Sequence, residues 1–271
     1  MSYLDDLFSL QGTTAAITGG GGVIASALAE ALILAGANVA LWSIRTASAE
    51  PTVRKLTELS GGSDRILSLQ ADAGDEASVS HALDETEKRF GRLDLLINGV
   101  GGNKGKGPFV EIDVKQFMSI VELNLVGGLV VPTKVVAARW IEKKQKGNII
   151  NLASMASYVP LSGVWAYDAS KSAVMNMTLA AAKEFAPNGI RVNALAPGFF
   201  IGKQNRALLV DEKSGGLTDR GQAIIRHTPF GRFGEVAELA GALLFLASEK
   251  ASGFVTGTTI PVDGGYLADN I

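Results

Sequence analysis

Three observations predict an α/β fold of the doubly wound, Rossmann type around a parallel sheet. Apolar runs of four to six residues alternate with helical patterns, giving seven strands along 271 residues. Those runs are continuous Val/Ile/Leu/Ala stretches, the pattern of strands buried on both faces. No repeat, low-complexity tract or long linker interrupts them, so a single domain is expected. The composition, 47% hydrophobic and 19% charged, is enough to build a sizeable core.

The elements follow in order. Thr14–Thr18 is a strand and Ala25–Ala35 an alanine-rich helix. Val39–Ser43 is a strand, Pro51–Ser60 a helix opened by proline, and Ile66–Gln70 a strand. Ala77–Phe90 is helical, Leu93–Ile97 a strand, and Val114–Glu142 mostly helical. Gly147–Leu152 is a strand, Tyr167–Phe185 a helix, and Arg191–Ala196 a strand. Glu235–Leu246 is helical, and Thr258–Val262 closes the series.

Composition also excludes functions. A net charge of −2 and a pI of 5.8 leave no basic field to hold nucleic acid or an anionic membrane. Cysteine is absent, which removes disulfides and thiol chemistry and suits a reducing cytoplasm. Only His81 and His227 occur, without ligand spacing, so no protein-bound metal is expected. The start, "MSYLDDLFSL", has two aspartates and no basic residue, unlike a secretory signal. The longest apolar runs, such as Ala27–Ala35, are too short to span a bilayer.

Between the first strand and first helix stands "TGGGGVIA", Thr18–Ala25. Glycines at such a turn let backbone approach a pyrophosphate, and the helix N-terminus supplies free N–H groups. The turn therefore reads as a dinucleotide site. It resembles the TGxxxGxG fingerprint of the short-chain dehydrogenase/reductase family, and the resemblance runs from Leu10 to Leu267. Thr18 and Gly19 match its start. Val23 and Ala25 replace its later glycines, so Gly21 and Gly22 are expected to carry the turn, with Val23 and Ile24 opening the helix.

An acid at the end of the second strand would bond the adenosine ribose hydroxyls. Ser43 stands there instead, with Arg45 two residues on and no carboxylate before Glu50. Both can meet a 2′-phosphate, so the cofactor is NAD(P)(H), leaning towards NADP. The resemblance places Asp72 and Ala73 at the adenine, and Asn98, Val100 and Gly101 at the end of the fourth strand. Gly99 departs from the family's NNAG at this point. Pro197 and Gly198 match the segment lying against nicotinamide, with Ile201 offering a backbone contact where the family has threonine.

Further along, "AYDASKSAV" sets Tyr167 and Lys171 four residues apart, hence side by side on one helix face. A phenol with a pKa near 10 exchanges protons poorly at neutral pH, and a neighbouring ammonium should lower it. Ser154 precedes Tyr167 by thirteen residues, just past a strand end, and Asn124 lies in the preceding helix. These four match the family's complete catalytic set. The resemblance implies a reductase: Tyr167 passes a proton to the developing alkoxide, Ser154 bonds the same oxygen, and Lys171 tunes Tyr167 while holding the ribose. Asn124 is expected to hold a helix distortion and a water path.

The insertion Gly198–Glu235, "GGNKGKGPF" and the C-terminal segment are similar to the D-mannonate oxidoreductase (D-fructuronate reductase) branch. That implies a small-molecule keto sugar acid under a lid at about 198–235, with Asn103, Lys104, Gln204, Asn205 and Arg206 as substrate candidates. A gluconate 5-dehydrogenase or sorbose-reductase type is the alternative within the class. A non-catalytic dinucleotide-binding module is the alternative outside it. By analogy with the family, a homotetramer is expected.

Overall fold

The computed structural model describes residues 2–201, 209–211 and 215–269. Its seven strands are β1 (Thr14–Thr18), β2 (Asn38–Ser43), β3 (Ile66–Gln70), β4 (Leu95–Asn98), β5 (Gly147–Leu152), β6 (Ile190–Pro197) and β7 (Thr259–Val262). They form one parallel sheet in the order β3–β2–β1–β4–β5–β6–β7. From β1 the chain builds outward to β3, then crosses back to β4. The sheet therefore reverses direction between β1 and β4, and a crevice opens at the carboxyl ends of those two strands.

Every residue of β1 is buried, as the unbroken apolar run requires. Ala15 and Ile17 face a core shared with α2 (Val23–Leu34) and α3 (Thr46–Ser60), through residues such as Leu28, Leu32 and Leu56. Ala16 faces the opposite core, with Val79 and Leu83 of α4 (Glu76–Phe90) and Trp140 of α6 (Val131–Glu142). Apolar area on both faces stabilises at roughly 25 cal/mol per Å².

Several boundaries move. The short helix α1 (Tyr3–Phe8) was not expected. Ser2 caps it, its hydroxyl accepting from the Asp5 N–H at 3.2 Å while the Asp5 carboxylate accepts from the Ser2 N–H at 2.8 Å. Helix α3 begins five residues before Pro51, which therefore lies inside it and leaves one carbonyl without its helical donor. The expected helix Glu235–Leu246 divides into a 3₁₀ turn, Val236–Leu239, and an α-helix, Ala240–Ala247.

The expected helix Val114–Glu142 is continuous, but only its ends, α5 (Val114–Val121) and α6, are α-helical. Its middle, Glu122–Val130, is a π-helix. By length and composition alone this helix could cross a membrane, an 18-residue window of it reaching a mean hydropathy of 1.6, which corrects the expectation that every apolar run is too short. Of that window 56% is buried within the fold, and α6 packs on the sheet, so it serves as a core helix.

Trp140 anchors α6. It is fully buried, its indole N–H donates to the Leu93 carbonyl at 2.9 Å, and its ring covers Gly147 at the start of β5. A methyl group at Gly147 would fall inside the ring's van der Waals shell. Gly147→Ala is therefore expected to lower unfolding stability by roughly 1–3 kcal/mol in denaturant titration. Gly241→Ala, where the added carbon meets nothing within 4 Å, should leave it unchanged or higher.

Candidate active site

The phosphate turn forms as the glycines require. Gly19 adopts φ +70°, and its N–H donates to the Trp42 carbonyl at 2.8 Å, tying the turn to β2. Gly22 caps α2 without a side chain, leaving the helix's first N–H groups open. A Cβ at Gly21 would lie 2.7 Å from the backbone oxygen of Ser48, so α3 itself demands glycine there.

The loop after β4 completes the cradle. Thr18 is buried and its hydroxyl accepts from the N–H of Gly99 at 3.0 Å and of Val100 at 3.4 Å. A Cβ at Gly99 would lie 2.5 Å from the Thr18 carbonyl, which explains glycine where the family has asparagine. Two residues later, a Cβ at Gly101 would approach the Asn124 amide oxygen to 2.8 Å and the Lys171 ammonium to 3.2 Å. Backbone alone fits between them.

Asn124 is fully buried in the π segment. Its Nδ2 donates to the Gly102 carbonyl at 2.7 Å and its Oδ1 accepts the Gly102 N–H at 3.0 Å, as a second strand would. The same Nδ2 donates to the Ile120 carbonyl at 2.9 Å. Asn124 thus holds the helix distortion and the loop together.

Helix α7 (Trp165–Phe185) presents a stripe of small residues every fourth position, Ala166, Ser170, Val174, Thr178 and Ala182, all buried. The adjoining face carries Tyr167 and Lys171 to the end of β5. Lys171 is buried and its ammonium donates to the Leu152 carbonyl, the last of β5, at 2.7 Å. Ser157 donates to the Lys171 carbonyl at 2.6 Å and so fixes the 3₁₀ turn that Ser154 caps. The Ser154 hydroxyl accepts the Ala156 N–H at 3.2 Å and lines the same cavity as the Tyr167 phenol.

The electrostatics correct one expectation. Burial raises the Tyr167 phenol above its ordinary range, with the Ser154 hydrogen bond opposing and Asp168 adding to the rise. Lys171 lies 5.8 Å from the phenol ring centroid and does not offset this burial. Burial also pushes Lys171 down, to about 8. An ammonium near its own titration point is a weak source of positive field, and it is oriented by a strand carbonyl rather than by the phenol.

A cavity of about 390 Å³ brings together Gly22, Val23, Ile24, Gly101, Asn103, Ser154, Tyr167, Lys171, Pro197 and Gly198. Lys104 is set in an adjoining cavity of about 190 Å³, which shares Asn103. Ile201 is half-buried after β6, and Gln204, Asn205 and Arg206 lie outside the described residues. Asp72 and Ala73 follow β3, outside the cavity, where the Asp72 carboxylate accepts the Gly74 N–H at 2.9 Å. Asn98 is the clearest departure from its expected cofactor contact. Its buried amide donates to Thr133 at 2.9 Å and Asn151 at 2.8 Å, so its side chain joins β4 to β5.

The residues present fit a dinucleotide. The turn and loop leave room only for backbone, and the buried Ser43 hydroxyl ending β2 has no hydrogen-bond partner among the described residues. Arg45 follows it, exposed, as the N-cap of α3. Among the described residues no group of three or more His, Asp or Glu is placed to hold a metal ion. Reading the sequence missed the apolar wall of the cavity, Phe199, Phe200, Leu209, Ile224 and Val236, and the cation Arg220. These come from separate segments, and only folding brings them together.

A family model described as enoyl-(acyl carrier protein) reductase matches residues 21–267. A curated 2-dehydro-3-deoxy-D-gluconate 5-dehydrogenase of Dickeya dadantii is 34% identical, over 96% of this chain and 98% of that protein. The chain belongs to the short-chain dehydrogenase/reductase family. A crystal structure of a proposed D-mannonate oxidoreductase from Haemophilus influenzae, with bound NAD, superposes with a TM-score of 0.89 at 36% identity, covering 98% of this chain and 99% of that one. A gluconate 5-dehydrogenase from Burkholderia cenocepacia, in complex with NADP and tartrate, gives 0.87 at 34% identity, covering 99% and 100%. The protein is thus an oxidoreductase of CH–OH groups using NAD(P).

The depressed lysine has a measurable consequence. The folded chain sheds this proton at about 8, while the unfolded chain keeps it to 10.5. More protons are bound unfolded than folded within that window, so stability from this group rises with pH there. The parent should gain roughly 2–3 kcal/mol over Lys171→Met between pH 8 and pH 10 in urea titrations. Parallel pH profiles for the two proteins would refute the buried ammonium.

Proposed function

We propose that the protein is an NAD(P)-dependent reductase of keto sugar acids that interconverts D-fructuronate and D-mannonate. The observation that carries the reading is a cavity, reached by the phosphate turn, whose lining brings Ser154, Tyr167 and Lys171 together. When bound, the nicotinamide supplies or accepts the hydride at the carbinol carbon. Tyr167 holds the proton that passes to the substrate oxygen, and its raised pKa keeps that proton on the phenol until negative charge develops. Ser154 donates to the same oxygen from a hydroxyl fixed by its turn. Lys171, seated on the Leu152 carbonyl, positions the phenol and faces the place of the ribose. Asn124 holds the loop that borders this place and the proposed water path.

NADP is the favoured cofactor, because Ser43 and Arg45 replace the acid that would repel a 2′-phosphate. The segment 198–235 is proposed as the substrate lid, and Asn103 and Lys104 as substrate contacts at its mouth. A cysteine-free chain suits work in the cytoplasm. A homotetramer is supported by the exposed apolar residues Val114 and Met118 on α5, Leu179 on α7, and Phe254. The Dickeya and Burkholderia relatives favour a second reading, oxidation at C5 of a gluconate-type acid.

Following absorbance at 340 nm with D-fructuronate and with 5-ketogluconate, each with NADPH and NADH, separates these readings. Faster turnover of D-fructuronate with NADPH is the expected result. Preference for 5-ketogluconate transfers the assignment to the second reading. Tyr167→Phe should cut kcat by about 10²–10⁴-fold with cofactor affinity retained; turnover at the parent's rate would end the assignment of Tyr167.

A further inference from the structure

The charges around the 390 Å³ cavity are unbalanced. Among the described residues its lining contains no aspartate or glutamate and two cations, Lys171 and Arg220. Lys171 is committed to the Leu152 carbonyl at 2.7 Å. Arg220 is not committed: among the described residues no hydrogen bond or ion pair engages its guanidinium.

Its placement follows from the helix that carries it. Asp219–Arg226 is capped by Thr218, whose hydroxyl accepts the Gly221 N–H at 3.1 Å. Gly221 is buried against the Leu209 backbone, where a Cβ would collide, so this end of the helix is seated closely. Ile224, four residues after Arg220, is buried and lines the same cavity. Residues at that spacing share a face, so Arg220 is presented on the cavity side. The nearby lining, Phe199, Phe200 and Val236, is apolar. Arg220 is itself exposed, which leaves its guanidinium open to a ligand beside this wall.

We propose that Arg220 is the carboxylate receptor of the site, holding the acid end of the substrate by a two-point guanidinium–carboxylate pair while Ser154 and Tyr167 hold the carbonyl end. This rests on the sugar-acid reading above. Arginine suits the task because its planar fork matches the two oxygens of a carboxylate. Arg220 therefore sets specificity for acids over neutral ketoses. It takes no proton and touches no reacting atom.

The test uses Arg220→Gln and Arg220→Lys in the full-length enzyme. For D-fructuronate, Arg220→Gln should raise KM roughly 10–100-fold, with kcat and NADPH affinity (by fluorescence titration) within twofold of the parent. Arg220→Lys should recover part of the loss, since it restores charge without the fork. An unchanged KM in Arg220→Gln overturns the proposal. So does a matching rise in the NADPH dissociation constant, which would move the guanidinium to the cofactor's phosphates. If the parent reduces no keto sugar acid, the proposed function falls by itself. Calorimetry of D-mannonate binding to the enzyme–NADP complex then decides Arg220 separately: weakening in Arg220→Gln keeps the carboxylate receptor, and equal binding or no binding to the parent removes it.

Discussion

The ammonium of Lys171 and the carbonyl of Leu152 share the bond on which the site depends. A buried cation is costly unless a polar partner meets it, and the terminal carbonyl of a parallel strand is a donor-seeking group with no further ladder to join. Meeting there, the two satisfy each other and lock α7 against the end of β5. Tyr167, one turn earlier on the same helix, lines the same cavity as Ser154, two residues past the strand. Ser157 reinforces the lock from the other side by bonding the Lys171 carbonyl. The lysine is thereby a positioning group first, and its own charge is weakened by the burial that makes the positioning rigid.

Around this bond the fold supplies two backbone-only surfaces. One is the turn after β1, where Gly21 makes room for Ser48; the other is the loop after β4, where Gly99 passes over Thr18 and Gly101 passes between Asn124 and Lys171. Both lie at the reversal of the sheet, and both exclude side chains for reasons internal to the protein. The route taken by the phosphates and ribose is thus determined before any ligand arrives, which is what preorganisation means in this family's geometry.

Much of this was legible in the sequence, and the exceptions are instructive. Strand positions emerged from unbroken apolar runs because a parallel sheet buries both faces, a condition each run reports by itself. Tyr167, Lys171, Ser154 and Asn124 were legible because the phenol–ammonium spacing and the strand-end serine are local features. The early start of α3 was hidden because proline usually opens a helix, and here packing of Ala49 against the first core overrides that preference. Asn98 misled because an amide at a strand end looks the same whether it bonds a ligand or a neighbouring strand. Direction of the phenol's pKa depends on how much water is excluded, which no spacing encodes. Arg220 and its apolar surroundings were illegible for a related reason: their separate chain segments share a cavity only after folding.

The π segment has a further effect on the whole helix that contains it. Glu122–Val130 joins α5 to α6 without a break, yet its wider coil inserts an offset in rotational phase between them. Within the π segment the helix must aim Asn124 at the loop beside the cavity; downstream, it must aim Trp140 at Gly147 on the sheet. An unbroken α-helix advances about 100° per residue and would satisfy one of these bearings at the expense of the other. The coil widening acts as a fixed gear between chemistry and core, and losing a single residue within it would swing the indole about a quarter-turn off its seat.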